Sequence, residues 1–158
     1  MRFYWVESPV GRIATAAAPN ADRMIEEIID MREEKVEFVL SLLQVDEATE
    51  IGLIDEELSL EAAGIGFRQI AIADFGIPEN SLEIDSVIVD MAKYLETGGS
   101  FVVHCRGGIG RSSIVVSAIL THLGVKSSDS MRHIEKARGL RVPETSSQRE
   151  WAMHRDSC

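Results

Sequence analysis

The chain has only two cysteines in 158 residues, Cys105 and the terminal Cys158. That is too few for a disulfide framework, and a reducing cytoplasm is the predicted compartment. No apolar run approaches the roughly 20 residues of a membrane-spanning helix. The opening Met1-Arg2-Phe3-Tyr4-Trp5-Val6-Glu7 reads as a strand and has no apolar core or small-residue cleavage site of a leader. His104, His122, His133 and His154 lack metal-ligand spacing, so neither a metal nor another cofactor is expected. A Gly-x4-Gly-Lys-Ser/Thr nucleotide loop is missing because no lysine precedes Ser112, and no Gly-x-Ser-x-Gly supports a serine triad. Basic residues are scarce through most of the chain. Residues 1–100 carry 7 against 21 acidic ones, a balance of −14, whereas residues 101–158 carry 9 against 5, a balance of +4. An acidic body with a net charge of −10 argues against nucleic acid and anionic membranes as partners. Much of the acid load (Glu26, Glu27, Glu33, Glu34, Asp55, Glu56, Glu57) reads as solvated helix face.

The positive end carries the informative segment, His104-Cys105-Arg106-Gly107-Gly108-Ile109-Gly110-Arg111-Ser112. Before it, Ser100-Phe101-Val102-Val103 reads as a short buried strand; after it, Ile114 to Leu120 reads as a buried helix. A strand-to-helix turn lets successive backbone N–H groups converge on one anion, aided by the positive end of the helix dipole. Glycines allow close backbone approach and angles that other residues avoid. The amides of Arg106, Gly107, Gly108, Ile109, Gly110 and Arg111 are the expected phosphate cradle.

A helix N-terminus among inward-pointing amides favours the thiolate of Cys105 over the thiol. Such a thiolate can attack the phosphorus of a bound monoester and form a phosphocysteine. The planar fork of Arg111 can grip two phosphoryl oxygens, and Ser112 can donate a hydrogen bond to the sulfur, helping it leave. His104, at the strand end, is expected to point back and orient the loop. Phosphate-monoester hydrolysis by this route needs no metal.

His-Cys-x2-Gly-x2-Arg-Ser resembles the signature of cysteine-dependent protein tyrosine phosphatases, and the short chain is most similar to the dual-specificity branch, including kinase-associated phosphatases and compact bacterial relatives. The resemblance runs over residues 36–152. It implies a general acid upstream on a mobile loop, and Asp74 fits, thirty-one residues before Cys105 in Ala73-Asp74-Phe75-Gly76-Ile77-Pro78. Asp74 would protonate the leaving oxygen and later deprotonate the hydrolytic water. The Trp-Pro-Asp of the large tyrosine phosphatases is absent. Asp85 and Asp90 are weaker candidates because both sit inside an expected helix. Gln148 is the candidate for orienting that water, with a polar helix face as its alternative. Arg138 or Arg141 could add positive charge near the site, but ordinary surface placement is the preferred expectation for either one alone.

The implied partner is a phosphorylated protein or peptide, bearing phosphotyrosine and, through a shallow site, phosphoserine or phosphothreonine, with the enzyme as a monomer. Phosphoinositides rank second, since the family members that use them tend to carry lysines within the loop and positions 106–110 hold none. An arsenate-reductase-like thiol enzyme would need Cys158 as resolving thiol. A silent phosphate-binding module remains a further alternative.

Around this loop, strands and helices alternate. Tyr4 to Glu7 and Ile13 to Ala16 read as a strand pair within residues 1–19. Asn20 is placed to cap a helix from Ala21 to Glu34 whose buried face would hold Met24, Ile25, Ile28 and Ile29. Val36 to Leu43 and Phe67 to Ile72 read as parallel strands, with Glu56 to Ala63 as a helix between them. Asn80 and Glu83 form a capping-box-like start for a helix to Leu95. Later helices are expected over Arg111 to Leu123, from Ser128 or Asp129 to Arg138, and from Pro143-Glu144-Thr145 onward. Such alternation predicts a single α/β domain: a mainly parallel central sheet, helices on both faces, and the phosphate loop at the strand C-terminal edge.

Overall fold

A computed structural model describes residues 1–157. The strands are β1 (Tyr4–Val6), β2 (Arg12–Ala17), β3 (Phe38–Ser41), β4 (Gly66–Gln69) and β5 (Ser100–Cys105). They form one sheet in the order β1-β2-β5-β3-β4, antiparallel only between β1 and β2. The helices are α1 (Met24–Glu33), α2 (Val45–Glu50), α3 (Glu56–Ala62), α4 (Ser81–Glu96), α5 (Arg111–His122), α6 (Ser127–Arg138) and α7 (Ser146–Met153). The chain is a single-domain α/β fold with helices on both faces of a mostly parallel sheet.

Every residue of β5 is buried, as a strand in the middle of a doubly covered sheet requires. On one face Phe101, Val103 and Cys105 pack with Ile84, Val87, Ile88 and Met91 of α4 and Ile114, Val115 and Ile119 of α5. On the other, Val102, Ala14, Ala16 and Val39 pack with Met31 of α1 and Leu60 of α3. The parallel strands all end at one edge, so the segments that leave β2, β3, β4 and β5 gather there.

Several expectations need correction. Residues Ala21–Arg23 form a 3₁₀ turn, and the Asn20 side chain accepts from Asp22 N within it, so α1 starts only at Met24. Ile25 and Ile29 are 77% and 49% exposed; the stripe packed on the sheet is the half-buried Met24 and Ile28 with the buried Met31, at helical spacings of four and three. Glu27 joins that inner face because its carboxylate accepts from the backbone N–H of Asn20 at 2.9 Å. Strands β3 and β4 are shorter than the apolar runs that foretold them. Ile70 and Ile72 stay buried beyond β4, tied to Ser41 O at 2.9 Å and Leu42 O at 3.2 Å. Helix α2 has no apolar periodicity and was not anticipated. The last helix begins at Ser146, with Thr145 as its N-cap.

Candidate active site

The turn between β5 and α5 wraps around the thiol of Cys105, which is buried. The Gly108 N–H donates to Cys105 Sγ at 3.3 Å, and Ser112 Oγ lies 3.4 Å from the same sulfur. Gly108 adopts φ +70°, and a Cβ there would stand 2.6 Å from the Ala16 carbonyl carbon and 2.7 Å from Ala17 N. Only glycine meets both constraints. The loop is thereby pressed against the end of β2, where Ala18 N donates to Arg106 O at 3.2 Å. From behind, Arg138 Nε donates to Gly108 O at 3.3 Å while its guanidinium sits 4.3 Å from the Tyr4 ring. Arg138 therefore braces the loop instead of lying free on the surface. Arg141 is exposed and borders a cleft with Ile109 and Glu144. Arg106 is exposed, 3.8 Å from Glu50.

Arg111 opens α5 and is almost wholly buried. Its terminal nitrogens grip both oxygens of Glu47, at 2.7 and 2.9 Å, and Nη1 also donates to Ile72 O at 2.9 Å. Glu47 sits in α2, just past the end of β3, and its Oε1 also accepts from Gln44 N at 3.3 Å. Sequence reasoning missed this residue, which lies 64 positions from its partner. The available signal was the Gln44-x-x-Glu47 pattern, a capping-box spacing directly after an apolar strand. Hydrogen bonds from Arg111 outweigh desolvation and hold the Glu47 carboxyl below its ordinary value. Burial works against the Arg111 cation, yet its pairing with Glu47, Cys105 and Asp74 keeps it above the ordinary range.

Because Glu47 is depressed in the folded chain, its stabilising contribution is complete above the ordinary glutamate value of 4.5 and disappears as pH falls through the lower folded value. Urea unfolding of wild type should therefore weaken more steeply below about pH 4.5 than that of Glu47→Gln. Parallel pH dependences would refute the coupling.

Asp74 Oδ1 lies 3.1 Å from Arg111 Nη2 and accepts from Phe75 N at 3.1 Å. The turn closes through Gly76 N to Ala73 O at 2.8 Å. Phe75 has φ 60°, a conformation that costs a bulky residue about 1–2 kcal/mol, yet its side chain is 57% exposed. Gln148 is fully buried, so it is not a solvated helix face. It closes a capping box with Thr145, and its Nε2 donates to Gly76 O at 3.0 Å, tying α7 to the Asp74 turn. Asp85 and Asp90 pair on the surface with Arg155 and Arg68, at 2.6 and 2.9 Å. His104 is fully buried with Nε2 2.7 Å from Glu56 Oε1. Glu56, like Glu27, therefore leaves the set of solvated acids. Cys158 lies outside the described residues. Among the described residues no group of three His, Cys, Asp or Glu converges to hold a metal ion, and no helix is long and apolar enough to cross a membrane.

A buried thiol, a helix N-terminus, an anchored arginine and a carboxylate share one sheet edge, an arrangement suited to holding and cleaving a phosphate ester. The family profile described as "Polymorphic toxin system, DSP-PTPase phosphatase" matches residues 14–125, from β2 through α5 and just beyond. The chain belongs to this phosphatase family. It is a hydrolase of phosphate esters, of the dual-specificity and protein tyrosine phosphatase superfamily. Solved structures share its fold. A kinase-associated phosphatase with serine at its catalytic cysteine superposes with TM-score 0.82 at 15% identity, over 99% of this phosphatase and 95% of that chain. Tk-PTP in its active form gives 0.75 at 23% identity, over 93% and 92%. PTPMT1 in complex with PI(5)P gives 0.74 at 20% identity, over 92% and 90%. No curated protein matches the sequence.

Proposed function

We propose that the phosphatase hydrolyses phosphotyrosine in proteins through a phosphocysteine intermediate, extending to phosphoserine or phosphothreonine where the site is shallow enough. The observation that carries this reading is the Cys105 sulfur, held by Gly108 N–H and Ser112 where the loop meets the helix opened by the Glu47-anchored Arg111. The Cys105 thiolate attacks phosphorus, the S–P bond forms as the ester P–O bond breaks, and Asp74 gives its proton to the leaving oxygen. Water then attacks phosphorus, Asp74 takes its proton, and the S–P bond breaks to release phosphate. The amides of residues 106–111 and the Arg111 guanidinium hold the phosphoryl oxygens throughout. Ser112 steadies the departing sulfur, and Gln148 acts on the water through the Asp74 turn that it anchors. An incoming dianion competes with Asp74 for Arg111 Nη2 and so turns the carboxyl toward the leaving group.

Phe75, strained and exposed beside Asp74, favours an aryl ester because its ring offers a phosphotyrosine side chain an apolar wall. The reading takes residues 1–158 as one phosphatase domain with 36–152 as its core, working as a monomer on phosphoproteins in the cytoplasm. Side-by-side turnover of phosphotyrosyl peptides and a short-chain phosphoinositide tests the substrate class. Faster hydrolysis of the phosphoinositide would reverse the assignment.

Asp74→Asn should lower kcat on an aryl phosphate by about 100-fold and flatten the high-pH limb of its profile, since that limb reports the acid's lost proton. A limb that persists in the variant would move the acid role elsewhere.

A further inference from the structure

Helices α1 and α3 carry a surface that the catalytic scheme does not use. They lie side by side on one face of the sheet, where Met31 and Leu60 anchor them in the same apolar cluster. Between them runs an open cavity of about 340 Å³, lined by Ile25, Ile28 and Ile29 from one helix and Ser59 and Ala62 from the other. Arg32, the only cation lining it among the described residues, closes one end by donating from Nη2 to Ala63 O at 2.7 Å. The outer rims are aliphatic too, with Ile25 and Ile29 exposed on α1 and Leu58, 66% exposed, on α3. One exposed isoleucine is ordinary; three large aliphatic side chains around one cavity form a patch. Charge borders that patch on both sides. Helical spacing turns Ile25, Ile28, Ile29 and Arg32 toward α3 and Met31 toward the sheet, so Glu26 and Glu33 take the remaining flank of α1. On α3, Ser59 and Ala62 face α1 and Leu60 faces the sheet, which leaves Glu57 and Glu61 on the opposite flank. All four glutamates are exposed, and none has an ion pair or side-chain hydrogen bond among the described residues.

We infer that this strip is a docking groove for a basic amphipathic helix of a partner protein. An apolar trough between two acidic rails selects its complement: aliphatic side chains at i, i+3 or i+4, and i+7 for the trough, and Lys or Arg on both flanks for the rails. Length agrees, since the ten residues of α1 span about 15 Å and match about three turns of a partner helix. The same rails disfavour other occupants. An anionic lipid surface would meet four unpaired carboxylates. A second copy docking face to face would set its own Glu26, Glu33, Glu57 and Glu61 against these. The groove stands apart from the Cys105 loop, and its occupancy is read without turnover.

The probe is a capped synthetic helix of about four turns, with leucine along one stripe and lysine on both flanks, titrated into the ¹⁵N-labelled protein. Saturable shifts should be confined to α1, α3 and the residues that join them to the sheet. Ile25→Ser with Ile29→Ser should weaken binding by about 10-fold or more. Glu26→Gln with Glu33→Gln, Glu57→Gln and Glu61→Gln should weaken it by about as much, and added salt should mimic that loss. All these side chains are exposed and away from Cys105, so the thermal midpoint and aryl-phosphate hydrolysis should stay at wild-type values. Binding that survives the isoleucine changes and falls only with the acid changes is an adventitious charge contact and would overturn the groove. Loss with the isoleucine changes alone would overturn the basic partner. Shifts at the Cys105 loop instead of the two helices, or no saturable binding, would overturn the inference as a whole. So would a dimer of the protein alone, or binding to phosphatidylserine vesicles, that the isoleucine variant abolishes, since the face would then belong to a second copy or to lipid. Absent phosphopeptide turnover would sink the substrate assignment and leave the docking result standing.

Discussion

Cys105→Ser should abolish aryl-phosphate hydrolysis, by about 10⁴-fold or more, while the protein still folds and still binds phosphate. A serine hydroxyl is a far weaker nucleophile than a thiolate, so the attacking electron pair is lost. Little else changes. Serine is slightly smaller than cysteine, the Gly108 N–H can donate to its oxygen, and the apolar packing of β5 against α4 and α5 does not depend on sulfur. A phosphotyrosyl peptide should therefore remain bound to the variant instead of being turned over. Circular dichroism and the thermal midpoint would establish folding, and residual hydrolysis of p-nitrophenyl phosphate would measure the loss. Hydrolysis that survives the substitution would remove the phosphocysteine mechanism altogether.

Arg111→Lys is the second substitution with a large expected effect, a fall of about 100- to 1,000-fold in kcat/KM. Lysine keeps the charge but cannot keep the geometry. One guanidinium here spans both oxygens of Glu47, the Ile72 carbonyl and Asp74, and still has to present a planar edge to the phosphoryl group. A single ammonium satisfies some of these acceptors and leaves others buried without a donor. The variant should therefore also be less stable than wild type, because Glu47 is nearly buried and loses its bidentate partner. Adding Glu47→Gln to Arg111→Lys should recover part of the stability without recovering the rate. That split separates the structural half of the guanidinium's work from the catalytic half. Equal recovery of both would show that Arg111 serves the fold alone.

The loop between β5 and α5 was legible because its parts are contiguous. Cys105, the three glycines and Arg111 lie within seven residues between an apolar strand and an apolar helix, and the local turn alone brings them together. Asp74 was legible for a related reason: an apolar run ends just before it, and in a parallel sheet that end lies on the edge shared with Cys105. The α/β class and the mixed sheet followed from alternation of runs too short to stand alone. Burial of Ile25 and Ile29 did not follow. An apolar residue in an amphipathic helix can lie on either flank of the stripe, and only the seat of α1 on the sheet selected Met24, Ile28 and Met31.

The acids divide along the same line. In the chain, Glu27 and Glu56 belong to a long acidic series with nothing to distinguish them from Glu26, Glu33 or Glu57, and Glu47 is marked only by its capping-box spacing from Gln44. The order β5-β3-β4 sets the segments after β3 against the segment after β5, which delivers Glu47 to Arg111 and Glu56 to His104 across 64 and 48 residues. By itself the sequence determined the loop that carries Cys105 and Arg111, the class of fold and the strand end that carries Asp74, all properties of local order and period. The tertiary structure alone decided which carboxylates are buried, and therefore which cations they hold, because burial and ion pairing depend on what lies across the sheet edge and not on what lies next in the chain.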